Sequence, residues 1–247
     1  MNPGWSADAV AAAALLGAGV VLGATALFRR GESSERVARE GGTIFLPVRL
    51  MQAGYALAGP LVRLAGAVGL RPDVITWASL IPGAGAGLAM AAGRPGWAAW
   101  LLALSGLCDL LDGAVARATG RTSAGGAALD STLDRYVEFF FLAGVLWHFA
   151  DRPGLQLVTM AALLGSFMVT YSTAKAEALG VKPPRGWMKR AERMVWFIGG
   201  AALAGVVPGF GGSGRPVLAA VISLVALFAN LAAIRRLAAL QAVVRGK

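Results

Sequence analysis

DLLDGAVARATGRTSAGGAALDSTLD, residues 109–134, places four aspartates within 26 positions of a chain that is otherwise apolar. An ionised Asp at the middle of a bilayer costs roughly 2.5–3.5 kcal/mol on insertion scales. Four cost on the order of 10 kcal/mol unless something compensates. Asp109 and Asp112 are three apart and share a helix face. Asp130 and Asp134 are four apart and share a face of the next helix. Gly120, Gly125 and Gly126 suit a tight reversal between the two, so that two antiparallel helices aim four carboxylates at one another. An all-oxygen ligand set selects Mg2+ or Mn2+, and four carboxylates suffice for two ions.

Neighbouring residues extend this chemistry. Gly113 and Gly126 have no side chain and let a bulky ligand approach the backbone. Arg117 can meet a phosphate near the helix end. Metal ions, an arginine and glycine clearance describe a pyrophosphate site. Purely structural ion pairs would leave excess negative charge buried, because one or two nearby arginines face four aspartates.

Composition says where the cluster lives. The chain has 247 residues, 57% hydrophobic and 15% charged, with a mean hydropathy of +0.64. Those values exclude an ordinary soluble domain and predict an all-α, polytopic membrane helix bundle. Apolar runs near the ~20 residues of a membrane helix cover 7–28, 74–92, 97–119, 127–150, 155–179, 191–208 and 216–244. The first is an extra N-terminal transmembrane helix. No Lys or Arg precedes it, so it does not read as a secretory signal. The other six are the core. Segment 45–70 has apolar residues at helical spacing around Arg49, Gln52 and Arg63, and reads as an interfacial amphipathic helix bent or broken at Pro60. Residues 1–41 thus form the extra helix and a cytoplasmic linker, and 42–247 the membrane domain. Glycines 83, 85 and 87 suit close helix packing.

The net charge of +10 belongs to this topology and not to nucleic-acid binding, since the basic residues cluster between apolar runs. Arg94, Arg152 and Arg215 stand nearly alone in their loops. The loops with Arg29, Arg30, Arg36 and Arg39, with Arg117 and Arg121, with Lys182, Arg185, Lys189 and Arg190, and with Arg235, Arg236, Arg245 and Lys247 are the cytoplasmic ones. The aspartates lie near that side, so the site faces the cytoplasm from the cytoplasmic membrane. Cys108 is the single cysteine, which excludes an intramolecular disulfide and a thiolate metal site. His148, the single histidine, reads as interfacial.

The pattern Asp109-x2-Asp112-Gly113-x2-Ala116-Arg117-x8-Gly126-x3-Asp130-x3-Asp134 resembles the signature of the CDP-alcohol phosphotransferases at all eight positions. That family has six core membrane helices, and the resemblance covers roughly residues 42–240. It implies that Asp109, Asp112, Asp130 and Asp134 hold two ions, Mg2+ or Mn2+, with Asp134 also the general base. A hydroxyl of the acceptor alcohol attacks the lipid-bearing phosphorus of CDP-diacylglycerol or a similar CDP-lipid, and CMP leaves. Asp73 and Thr76, in a Pro-Asp-x2-Thr segment, and Ser123 match contacts to the CDP moiety, joining Gly113, Arg117 and Gly126. Alone, Asp73 and Thr76 would read as helix-start residues and Ser123 as a loop serine. Family members are commonly homodimers.

Three basic helix ends suggest an acceptor that carries its own phosphate. Ser172 and Lys175, Arg193 in Arg190-Ala-Glu-Arg193, and Arg236 resemble the inositol-phosphate branch, where such groups hold the acceptor phosphate. Glu177 departs from that branch, which often has a basic residue there. Glycerol 3-phosphate is the alternative acceptor and would make the chain a phosphatidylglycerophosphate synthase; serine is a weaker one. Two other classes compete. A membrane prenyltransferase draws its aspartates from two well-separated segments, and a cation transporter spreads acidic residues over several helices.

Overall fold

Prolines open the apolar runs and glycines close them. The computed structural model of the chain describes residues 5–28, 48–181 and 186–245, and every regular element among them is helical. Helix α1 spans Ala7–Phe28, α2 Val48–Ala67, α3 Pro72–Ala78, α4 Leu80–Ala91 and α5 Pro95–Ala118. Then come α6 Ala124–His148, α7 Pro153–Ala178, α8 Arg190–Val206 with a 3-10 turn at Val207–Phe210, and α9 Arg215–Arg245. Pro72, Pro95 and Pro153 occupy first turns, where a missing N–H costs nothing. The ends of the expected core runs fall within three residues of these helices. The linker with Arg29, Arg30, Arg36 and Arg39, the start of the amphipathic segment, Lys182, Arg185 and Lys247 lie outside the described residues.

One expected run is split. Between α3 and α4 the chain breaks at Ser79. Pro82 has no N–H, and its ring crowds the Ala78 carbonyl four residues back. The Ser79 hydroxyl donates to the Thr76 carbonyl at 2.7 Å, and the Ser79 carbonyl accepts from the Ser105 hydroxyl at 2.9 Å. Short α3, with Asp73 and Thr76, thereby packs against both α5 and α6. Helix α2 runs through Pro60 without the break that was one of the two expectations there, and Pro60 is on an exposed face.

Among the described residues, six stretches are long and apolar enough to cross a membrane: α1, α3 with α4, α5, α7, α8 with its turn, and α9. Helix α6 is as long, at 25 residues, but carries Asp130, Asp134, Arg135 and Glu138. Helix α4 lies between α5 and α6, and α7 pairs with α9. A Cβ on Gly144 would stand 2.8 Å from the Gly87 Cα, so α4 and α6 meet backbone to backbone. Consecutive α5 and α6 barely touch. The space between their charged ends stays open.

Helix α1 packs on α5, α8 and α2. Asp8 caps α5, accepting from the Gly96 and Trp97 N–H groups at 3.1 and 2.9 Å. The Trp100 indole donates to the Ala11 carbonyl at 2.7 Å.

Candidate active site

A tight reversal puts the aspartates face to face. Helix α5 ends at Gly120 with φ 67°, a left-handed turn that glycine takes without a Cβ penalty. The Arg121 N–H then bonds back to the Ala116 carbonyl at 2.8 Å. Ser123 caps α6, its hydroxyl accepting from the Gly126 N–H at 2.9 Å. Across this turn Asp109, Asp112 and Asp130 each bring a carboxylate oxygen to within 4.8 Å of the others. Asp112 Oδ2 and Asp130 Oδ1 are buried and have no hydrogen-bond partner among the described residues. Leaving a buried acceptor unpaired costs about 1–3 kcal/mol, and more when it is charged. Two such oxygens converging with a third carboxylate fit a hard divalent cation.

The fourth aspartate is arranged differently. Asp134 accepts from Arg190 at 2.6 Å, and the other Arg190 nitrogen reaches Asp109 at 2.9 Å. Three of the expected ligands thus form a metal-sized cluster, and Asp134 joins it through an arginine. In the sequence Arg190 is one of the basic residues that open α8, with no role assigned among the metal-type aspartates. Its position at the start of α8 gave no further signal.

Beside the aspartates is a cleft of about 190 Å³. Asp73, Thr76, Gly113, Arg117, Ser123 and Gly126 all line it, together with Asp112 and Asp130. A Cβ on Gly126 would stand 3.2 Å from the Ser123 hydroxyl and 3.6 Å from the Asp73 carboxylate, so glycine keeps this wall open. Arg121 and Thr122 also line the cleft. In the sequence the first reads as topological charge, and nothing singles out the second.

The residues expected at an acceptor phosphate come from three helices. Ser172 is buried on α7 and donates to the Val169 carbonyl at 2.8 Å. Lys175, one turn on, is exposed. Arg236 on α9 is buried, donating to the Thr173 hydroxyl at 2.9 Å and the Trp187 carbonyl at 3.1 Å, while its Nε has no partner among the described residues. Arg193, on α8, meets the same segment, since the Met188 carbonyl it holds is next to the Trp187 carbonyl that Arg236 holds. It is 1% exposed and holds both Glu138 oxygens, at 2.7 and 2.8 Å, and the Met188 carbonyl at 2.7 Å. It does not line the cleft beside the aspartates. Glu138 carries one sequence signal, an acid inside an apolar run one turn beyond Asp134, and is absent from the expected site residues.

A family model for CDP-alcohol phosphatidyltransferase matches residues 70–231. The phosphatidylinositol phosphate synthase of Mycolicibacterium smegmatis is 35% identical over 160 residues, 63% of this chain and 72% of its own length. The archaetidylinositol phosphate synthase of Methanothermobacter thermautotrophicus is 39% identical over 142 residues, 58% of this chain and 71% of its own. Among solved structures, the Mycobacterium tuberculosis phosphatidylinositol phosphate synthase (PgsA1) in complex with manganese and citrate superposes with a TM-score of 0.67 at 31% identity, covering 74% of this chain and 88% of that one. The same protein with CDP-DAG bound gives a TM-score of 0.66 at 31% identity, covering 73% and 92%.

Proposed function

The chain belongs to the CDP-alcohol phosphatidyltransferase family, and from that premise we propose that it moves the phosphatidyl group of CDP-diacylglycerol, or of a similar CDP-lipid, to a phosphorylated polar alcohol. Inositol phosphate is the favoured acceptor, and CMP is the leaving group. The observation that carries this reading is the shared cleft: every residue matched to the CDP-lipid lines one wall system with two of the metal-type aspartates. The acceptor assignment is supported by the two relatives named above, a phosphatidylinositol phosphate synthase and an archaetidylinositol phosphate synthase, and by the Nε of buried Arg236, which has no partner among the described residues.

Asp109, Asp112 and Asp130 would hold the ions, with Asp134 completing the set. Bound there, Mg2+ or Mn2+ would neutralise the pyrophosphate and the departing CMP. Ser123 offers its hydroxyl hydrogen, since its oxygen is already an acceptor for Gly126. Arg117 and Arg121 add charge-assisted contacts at the same mouth. Asp134 takes the proton of the attacking hydroxyl as the new P–O bond forms and the bond to CMP breaks. Ser172, Lys175, Arg193 and Arg236 hold the acceptor's phosphate. The basic ends of α5, α8 and α9 gather on the aspartate side, which supports a site facing the cytoplasm from the cytoplasmic membrane.

The test is CMP release by the membrane-embedded protein given CDP-diacylglycerol and one of three acceptors: inositol 1-phosphate, glycerol 3-phosphate or serine. Inositol 1-phosphate is expected to be used best. Preference for serine would overturn the acceptor assignment, and absence of CMP with all three would overturn the reaction.

A further inference from the structure

Residues 187–190 lead the chain into α8, and a charged side chain holds each of them. Arg236 donates to the Trp187 carbonyl at 3.1 Å, and Arg193 to the Met188 carbonyl at 2.7 Å. Glu192 Oε2 accepts from the Lys189 N–H at 3.0 Å, closing the start of the helix. Arg190, next in line, reaches Asp109 and Asp134. Glu192, Arg193 and Arg236 therefore converge on one stretch of backbone at the edge of the aspartate site, and all three are buried.

Each of the three keeps a bonding group open. Arg193 engages three of its five N–H groups. Arg236 Nε and Glu192 Oε1 are buried, and neither has a partner among the described residues. Glu192 and Arg236 lie within electrostatic reach of each other, yet no hydrogen bond joins these two atoms. A Cβ on Gly186 would stand 3.0 Å from Arg236 Nε, so glycine keeps the space beside that nitrogen clear. The open groups differ in kind. A guanidinium can only donate, which suits a phosphate. A carboxylate can only accept, and it repels a phosphate oxygen. A group set between Oε1 and Nε must donate to the first and accept from the second. A hydroxyl does both.

We propose that Glu192 is a specificity-determining residue, whose open Oε1 accepts a hydrogen bond from a hydroxyl beside the acceptor's phosphate and so selects a phosphorylated polyol over a bare anion. This hydroxyl is distinct from the attacking one, whose proton goes to Asp134. The inference deepens the proposed function and rests on it for the class of acceptor. It also has a signature of opposite signs. The carboxylate favours a ligand that brings the hydroxyl and opposes an anion that lacks one.

The experiment compares Glu192→Gln with the wild type, as full chains in lipid nanodiscs. Calorimetry reads the affinity for inositol 1-phosphate and, by competition, for sulfate, which carries no hydroxyl. CMP release reads the reaction. Gln keeps an oxygen for the Lys189 N–H. Inositol 1-phosphate should bind the variant about tenfold more weakly, and its KM should rise to match, with the KM for CDP-lipid unchanged. Sulfate should bind about threefold more tightly, because a like charge is gone. Weakening of both ligands would mean that Glu192 only shapes the segment. Tightening of both would mean that it only repels, and no change in either that water fills the space. Each of these three results overturns the proposal. Should the variant fold poorly, the wild type is given two deoxy analogues of inositol 1-phosphate, each lacking one hydroxyl that flanks the phosphate. One of them should bind about tenfold more weakly than the parent, and equal binding of all three would overturn the proposal. Opposed shifts in affinity from a wild type that releases no CMP would uphold Glu192 and overturn the reaction. A wild type that does not bind inositol 1-phosphate would overturn the inference.

Discussion

Asp8 and Asp112 are both acids set into an apolar bundle near helix α5, and the structure treats them oppositely. Asp8, at the first turn of α5, has both oxygens occupied by backbone N–H groups. Asp112, toward the other end of the same helix, keeps a buried oxygen without a donor, and Asp130 across the turn does the same. Glu138 sides with Asp8, since Arg193 fills both its oxygens. The difference teaches how to sort costly acids in a membrane protein. A carboxylate whose capacity is met by its own chain is a fastening. One whose capacity is left open, at a point where others converge, is waiting for a ligand.

The strongest way to break this contrast is to remove an open carboxylate. Asp112→Ala, or the same change at Asp109 or Asp130, should lower CMP release on the order of a thousandfold or more. A metal supplies several kcal/mol of transition-state stabilisation, and each 1.4 kcal/mol is about tenfold. Calorimetric titration should show Mg2+ or Mn2+ binding weakened in parallel. Activity that survives in chelator would end the metal assignment.

Asp134→Asn sharpens the contrast within the aspartates themselves. Asn keeps an oxygen but cannot take a proton, so turnover should fall roughly 10²–10⁴-fold while CDP-lipid still binds. A loss of only a fewfold would remove the general-base role. At the acceptor side, Arg236→Ala should raise the acceptor KM about tenfold and leave the CDP-lipid KM nearly unchanged, because a charge-assisted hydrogen bond contributes about 1.5–3 kcal/mol. Equal changes in both constants would mean that Arg236 supports the fold instead.

The smallest effect belongs to the satisfied acid. Asp8→Ala should cost about 0.5–2 kcal/mol of stability, the usual range for a lost helix cap, with turnover unchanged. Thermal melting in detergent with a parallel CMP assay would check both halves. A kinetic defect without a stability defect would erase the distinction between fastening and working carboxylates.

These contrasts also mark what the sequence could say. The membrane bundle was legible because its runs are apolar, long and punctuated by proline and glycine. The metal cluster and the cleft were legible because their residues are close in sequence, so helical periodicity alone brings Asp109 beside Asp112 and Ser123 beside Gly126. The break at Ser79 was missed, though Pro82 signalled it. The longer pairings left no such trace. Asp8 finds Gly96 88 residues away and Arg193 finds Glu138 55 residues away. Arg190 carries the same residue type that topology alone would place at a helix end. Spacing encodes neighbours on one helix, while partners on different helices are chosen by packing.

Asp8 sits in the first turn of α1 and caps the first turn of α5, so these two helices run in the same direction. Each later helix reverses the one before it, and α9 therefore finishes at Arg245 on the aspartate side, while Trp5 lies at the far side. One hydrogen-bonded carboxylate thus fixes a parity. A reporter enzyme fused ahead of α1 and another fused after α9 would work in different compartments, and only the second would share its compartment with the released CMP.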